Sequence, residues 1–189
     1  YATYAKGYKP GGFNVNEVTD LSTQGYLSEN VTTYEIGMKS DWLNNRLLFN
    51  AAAFINDYSD QQVGIQRLDP SGQTLSAIAN AGEVEIKGIE LETSWRATEG
   101  LTVSGSYAWT DAQYKATGDF SGRTVQKTPE HALNASLRYN SMLANGTTGW
   151  FAEANGSYRS SRYMDEANLS TLPAYSLFDL RAGLTGDWW

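Results

Sequence analysis

Cysteine is absent from the 189 residues, and histidine occurs once. No disulfide can staple this chain, and no thiolate can hold a metal. Basic residues are in deficit too: 14 Lys and Arg against 21 Asp and Glu give a net charge of −7. A phosphate-binding surface needs the opposite balance, so nucleic acid is not an expected partner. Long apolar runs are missing as well. The longest covers Ala51 to Ile55, far short of the ~20 residues of a transmembrane helix. No basic-then-apolar signal segment stands at the start. With a mean hydropathy of −0.46, hydropathy alone reads as a soluble chain. What the sequence does have is aromatic side chains: 12 Tyr, 6 Trp and 6 Phe, in a chain only 41% hydrophobic. That composition suits a transmembrane β-barrel, in which only every second residue faces lipid.

One stretch organises the rest. From Ala81 to Trp95 the residues alternate, Val84 and Ile86 against Glu83, Glu85 and Lys87. After Gly88 the parity reverses, setting Ile89, Leu91, Thr93 and Trp95 against Glu90, Glu92, Ser94 and Arg96. Period-two alternation predicts a strand with different surroundings on its two faces. A glycine at the reversal predicts a β-bulge that re-aims everything beyond it. A change of environment along one face, without a bulge, would give the same pattern.

Alternation predicts seven further strands, at residues 1–8, 33–42, about 46–58, 101–114, 131–139, about 150–160 and 175–184. Short turns follow Trp42, Trp95 and Tyr139; in the first, Asn44 and Asn45 tolerate the positive φ of a tight hairpin. Long polar excursions follow Tyr8, Tyr58, Tyr114 and Ser160, one of them holding the turn sequence Asp69-Pro70-Ser71-Gly72. Short turns at one rim and long loops at the other are the outer-membrane pattern. Trp42, Trp95, Trp150, Trp188 and Trp189 fall at strand ends on the short-turn side. Trp109 lies toward the long loops with Tyr58, Tyr107, Tyr114 and Tyr158. Such rings collect at membrane interfaces, where the ring is in hydrocarbon and the N–H or O–H meets water.

No nucleophile motif, phosphate-binding loop or metal-ligand cluster appears, so neither an enzyme nor a cofactor is expected. His131 reads as a solvated residue at a loop-to-strand junction. Glu83, Glu85, Glu90 and Glu92 read as one polar face rather than an acid–base pair. In a barrel, Glu35, Lys39, Asp41, Glu90, Glu92, Arg138, Glu153, Arg159, Asp179 and Arg181 point into the lumen. An Arg or Lys at the lipid midplane costs ~2–4 kcal/mol, which puts Lys39, Arg138 and Arg181 inside.

The succession YATYAKGYKPGGFN, TYEIGMKSDWLNNRLLFNAAAFINDYSD, NAGEVEIKGIELE and GLTVSGSYAWTDAQY resembles the barrel of TonB-dependent outer-membrane receptors. The resemblance covers essentially the whole chain in the family's order, and residues 80–92 are its most specific part. It implies an all-β, antiparallel up-and-down transmembrane β-barrel located in the bacterial outer membrane. The chain would supply roughly strands 13 to 20 of a barrel of about 22 strands with a plugged lumen. Residues 1–189 would form a single partial barrel domain. The plug, the final strand pair and the short motif gripped by the TonB protein would be absent from it. The partners implied are outer-membrane lipid, the receptor's own plug, the TonB complex through the N-terminal part, and a small-molecule or iron-chelate ligand. The activity implied is energised import of a scarce ligand such as a ferric siderophore, cobalamin or an oligosaccharide. The lumenal charges would then pair with the plug, or only line a water-filled interior. Long loops carry recognition in this architecture, and the candidate contacts are Tyr8, Phe13, Tyr26, Arg67, Arg123 and Arg162. Arg suits carboxylate- or catecholate-type anions through its planar fork. Three rivals stand beside this reading. One is a passive porin. The second is a closed eight-stranded barrel in which residues 1–8 pair with 175–184. The third is a soluble carbohydrate-binding sandwich with buried Trp.

Overall fold

The computed structural model describes residues 1–14, 25–68, 72, 74–115 and 120–186. Its strands are β1 (Ala2–Lys9), β2 (Gly12–Phe13), β3 (Gly25–Tyr26), β4 (Glu29–Trp42), β5 (Leu47–Ser59), β6 (Gln62–Leu68) and β7 (Thr74–Asn80). There follow β8 (Val84–Arg96), β9 (Leu101–Tyr114), β10 (His131–Met142), β11 (Gly149–Arg159), β12 (Arg162–Tyr163), β13 (Thr171–Leu172) and β14 (Tyr175–Thr185). The eight long strands make one antiparallel sheet in the order β1-β4-β5-β8-β9-β10-β11-β14. Each long strand pairs with the next one along the chain, an up-and-down meander. The pairs β2–β3, β6–β7 and β12–β13 are small hairpins inside the long connections. β1 and β14 do not pair with each other, so the closed eight-stranded rival is overturned. Among the described residues the other sheets are only these two-stranded hairpins, none of which covers the long strands, which disposes of the sandwich.

β8 runs without a bulge, which corrects the expectation at Gly88. Its ladder with β9 steps one-for-one from Val84↔Tyr114 to Arg96↔Thr102, and its ladder with β5 does the same from Leu47↔Trp95 to Tyr58↔Val84. Glu85 and Glu90 therefore lie on opposite faces, and the four glutamates do not form one polar face. The reversal is a change of surroundings. Ile89, paired with Trp109, is exposed on the apolar face; one step up the same face, Lys87 bonds Asp111 at 3.1 Å. Beyond it Glu85 bonds Lys115 at 2.6 Å. Charges can follow an apolar row only where lipid gives way to water. Gly88 is glycine for a different reason. A Cβ there would lie 2.5 Å from the Trp109 carbonyl oxygen and 2.7 Å from Cζ of Phe54, whose ring covers the site.

The turns obey the local chemistry. Leu43, Asn44 and Asn45 take φ of 56°, 56° and 62°, and the Arg46 N–H closes the turn on the Trp42 carbonyl at 3.1 Å. Asn145 accepts the Thr147 and Thr148 N–H groups at 3.2 and 3.1 Å beside Gly146, φ 68°. The hairpin β6–β7 was not foreseen; its flanking residues bracket Asp69, Pro70 and Ser71, which lie outside the described residues.

The sheet's apolar face is bare. Leu180 is 84% exposed and Phe178 82%, with Ile36, Leu133 and Leu137 also open. A water-soluble domain does not leave such a surface uncovered; hydrocarbon covers it. Among the described residues, hydrophobic burial is confined to the long-loop end of the other face, where Val63, Ala81, Val84, Ala112, Tyr114 and Val125 form the core. Tyr114, 2% exposed there, and Tyr58, packed against this core, face away from Tyr107 and Trp109. Neither belongs to the interfacial aromatics, contrary to expectation.

Candidate functional site

Strand parity brings ten charged side chains to one face: Glu35, Lys39 and Asp41 on β4, Glu90 and Glu92 on β8, Arg138 on β10, Glu153 and Arg159 on β11, and Asp179 and Arg181 on β14. Unbroken registers carry polar rows across this face. One runs Lys39, Asn50, Glu92, Ser106, Asn134, Ser157. Within it the Asn50 amide donates to Glu92 at 3.2 Å. A concavity of about 500 Å³ opens over Glu92, Ser104, Asn134, Asn155 and Asp179. A neighbouring one of about 460 Å³ lies over Lys39, Asn50 and Glu90, beside Tyr1. Short hydroxyl and amide side chains leave this room; bulkier ones would fill it.

Three of the charges meet. Arg138 and Arg181 sit directly opposite Glu153 on the two adjacent strands. Arg138 Nη1 lies 3.2 Å from Glu153 Oε2, and Arg181 Nη2 donates to Oε1. Asn155 adds a donor to Oε1 at 2.9 Å, and the Arg138 guanidinium stacks 4.7 Å from the Phe151 ring centre. Glu153 is 9% exposed, so its carboxylate is fully engaged. Arg159 is engaged differently, on Asn134 Oδ1 and the Leu133 and Tyr158 carbonyls. Glu35, Asp41, Glu90 and Asp179 have no cationic partner among the described residues.

Trp42, Trp95 and Trp150 lie on the apolar face at the short-turn end. Trp42 Nε1 donates to Ser40 at 3.0 Å, and Trp150 packs 5.4 Å from Tyr139. Trp188 and Trp189 lie outside the described residues. At the other end Trp109 Nε1 donates to Glu130 at 3.3 Å. His131 stands at the expected loop-to-strand junction, with its side chain 44% exposed. It opens β10 on the apolar face, and its Nδ1 meets the Tyr107 hydroxyl at 2.9 Å.

The loop candidates are spread out. Tyr8, 77% exposed, lies one residue from the end of β1 on the face of Tyr4 and Tyr34, opposite the polar one. Phe13 is exposed on β2 and Tyr26 half-buried on β3. Arg67 stands opposite Leu75 in the β6–β7 ladder. Arg123 lies 5.9 Å from the Phe120 ring, and Arg162 5.4 Å from that of Tyr175.

Asparagines that the sequence reading passed over tie these loops together. The Asn14 amide both donates to and accepts from the Ile78 backbone, at 3.0 and 2.8 Å. Asn80 does the same with Leu27, at 3.1 and 2.8 Å. Asn168 repeats the device on Thr124, at 2.8 Å in both directions. Each side chain imitates one rung of a β-ladder, and the rung lies 44 to 64 residues away. Asp165 shapes the β12–β13 connection by accepting the Leu169 and Ser170 N–H groups at 3.1 and 2.8 Å. Those bonds hold its carboxyl below the usual range. Burial pushes the Tyr114 phenol up to about 12, helped by the Glu166 carboxylate.

A charged, hydroxyl-lined wall backed by a lipid face can line a polar passage or seat a polar protein surface. The family model for the β-barrel of TonB dependent receptor-like proteins matches residues 1–188. The ferrichrome outer membrane transporter and phage receptor of Escherichia coli is 28% identical over 82% of this chain and 21% of its own length. The metal-pseudopaline receptor of Pseudomonas aeruginosa is 28% identical over 96% of this chain and 24% of its own. The chain spans about a quarter or less of the curated relatives it matches. Among solved structures, the ferric yersiniabactin uptake receptor of Yersinia pestis superposes with a TM-score of 0.79 at 21% identity, over 97% of this chain and 26% of that one. A copper transporter superposes at 0.69 and 15% identity, over 96% of this chain and 27% of its own.

Proposed function

Because the chain belongs to the TonB-dependent receptor-like β-barrel family of the bacterial outer membrane, we propose that it is an eight-strand wall of a larger barrel that imports a metal chelate. As a member of a receptor family it is not an enzyme. The observation that carries the reading is the pairing of a bare apolar face with a charged face on the same strands. Lipid takes the first; a plug within the lumen takes the second, where Glu35, Asp41, Glu90 and Asp179, without a cationic partner among the described residues, would meet its cations. The two open edges support the rest of the proposal. An unpaired strand edge leaves N–H and C=O groups that hydrocarbon cannot satisfy, so further strands must continue the wall on both sides. The energy would come from TonB acting on a part of the receptor outside this chain. The relatives named above handle ferrichrome, metal-pseudopaline, ferric yersiniabactin and copper. Their names favour a ferric siderophore or related metal complex over cobalamin or an oligosaccharide.

The test is uptake of radioactive iron, supplied as ferrichrome and as ferric yersiniabactin, by iron-starved cells whose only receptor is the full-length protein. Accumulation that disappears when TonB is deleted supports active import. Accumulation that persists without TonB indicates a passive pore and contradicts the proposal.

A further inference from the structure

Tyr8 stands on the apolar, outward face, turned away from the lumen. On β1 that face carries Ala2, Tyr4, Lys6 and Tyr8, opposite Ile36, Tyr34, Thr32 and Asn30 of β4. Toward the long-loop end the outward face of each neighbouring strand changes from apolar to polar. On β8 the change falls between Ile89 and Lys87, on β9 between Trp109 and Asp111, and on β5 between Ile55 and Asp57. On β4 it falls between Tyr34 and Thr32, and on β1 between Tyr4 and Lys6. Lys6 is therefore the first charge above the hydrocarbon on β1, at the level of lipid headgroups. Long loops lie on the outer side in this architecture, so these headgroups belong to the outer leaflet.

The lysines at this level differ in what they meet. Lys87 bonds Asp111 at 3.1 Å and Lys115 bonds Glu85 at 2.6 Å, so both are neutralised. Lys6 makes no ion pair among the described residues. Asp57, on the same face, is separated from it by Thr32 on the strand between. The Lys6 ammonium lies 6.0 Å from the centre of the Tyr4 ring, which packs 5.3 Å from that of Tyr34. All three tyrosines around it, Tyr4, Tyr8 and Tyr34, are exposed. An unneutralised ammonium among tyrosine rings complements a phosphorylated sugar. The ammonium makes charge-assisted hydrogen bonds to phosphate, and a ring face packs on the C–H face of the sugar while its hydroxyl stays in water. A further strand beside β1 would not cover these groups, because ladder bonds run in the plane of the sheet and side chains stand off it.

We propose that Lys6, with Tyr4 and Tyr8 on either side of it, binds the phosphorylated glucosamine headgroup of the glycolipid in the outer leaflet. The phosphate meets the Lys6 ammonium and the sugar packs on Tyr8. Tyr4 and Tyr34 mark the level at which the acyl chains begin. The site needs only the outer-membrane placement of the family, and it is independent of any imported ligand.

The test places a photoreactive benzophenone amino acid at Asn30, which is exposed and opposite Tyr8, in the full-length receptor in living cells. After irradiation the receptor is purified and its lipid adducts are identified by mass spectrometry. A glycolipid adduct is expected, several-fold weaker in Lys6→Gln, retained in Lys6→Arg and unchanged in Lys87→Gln. In cells whose glycolipid has been stripped of its phosphates by a lipid phosphatase, the receptor with Lys6 intact should lose the adduct to the same extent. That arm tests the site without any substitution at Lys6. A phospholipid adduct in place of the glycolipid one, or no lipid adduct, overturns the proposal. So does a glycolipid adduct that is equally strong in Lys6→Gln and without the phosphates. No transported ligand enters the measurement, so its failure is separable from a failure of the uptake assay.

Discussion

Leu180 and Arg181 are chain neighbours whose side chains meet opposite media. Leu180 stands in lipid, while Arg181 bonds Glu153 on the polar face. Leu180→Arg is expected to cost ~2–4 kcal/mol and to block assembly into membranes. Arg181→Leu leaves Glu153 its bond to Arg138 and should cost within about 1 kcal/mol. Heat-modifiable mobility in cell envelopes reads both; equal tolerance at the two positions contradicts the lipid assignment. Gly88→Ala tests a different kind of constraint. Its Cβ meets the backbone oxygen of Trp109, which has no rotamer to yield, so a loss of about 1–3 kcal/mol is expected in urea titrations. Asp165 supplies the pH-dependent case. Its pKa is lowered in the folded loop, first by the Leu169 N–H and then by the Ser170 N–H. A lowered pKa means that the carboxylate stabilises the loop above its ordinary value of about 4 and that this is lost as pH falls through the lower, folded value. Protection of the Leu169 and Ser170 amides against hydrogen exchange should therefore hold at neutral pH and fade below about pH 4. In Asp165→Asn it should be weaker and independent of pH. At this scale the polar-face residues were legible because parity alone assigns them. The Arg138–Glu153–Arg181 contact was not, because it needs three strands in register. The asparagine bridges were illegible for the same reason: their partners lie far along the chain.

Strands were the most legible elements, since each alternates against turns with recognisable chemistry. The alternation in β8 is ambiguous at Gly88 because a bulge and a change of medium leave the same trace in sequence. Only the unbroken ladders of β8 with β5 and β9 separate the two. The hairpin β6–β7 was hidden for another reason: Val63 and Ile65 alternate with Gly64 and Gln66, but over too few residues to stand out from a polar loop. If the medium changes at Gly88, neighbouring positions on one face of β8 must sense different solvents. A nitroxide at Ile89→Cys should relax with dissolved oxygen, and one at Lys87→Cys with an aqueous nickel chelate. The same relaxation partner at both sites would contradict the boundary.

For the whole molecule, the sequence held the alternation of short turns and long loops, and the structure added that the resulting sheet stays open. The proposed continuation of the wall by strands beyond either edge accounts for that openness. The closed eight-stranded alternative predicts the reverse, with β1 and β14 as neighbours at the usual ~4.8 Å spacing. The deciding measurement is fluorescence energy transfer in the full-length receptor between dyes at Thr3→Cys on β1 and Thr185→Cys on β14. As part of a barrel of about 22 strands, these sites should lie roughly 30–40 Å apart across the lumen. A separation under about 20 Å, after allowance for the dye tethers, would mean that the edges meet and that this sheet closes on itself.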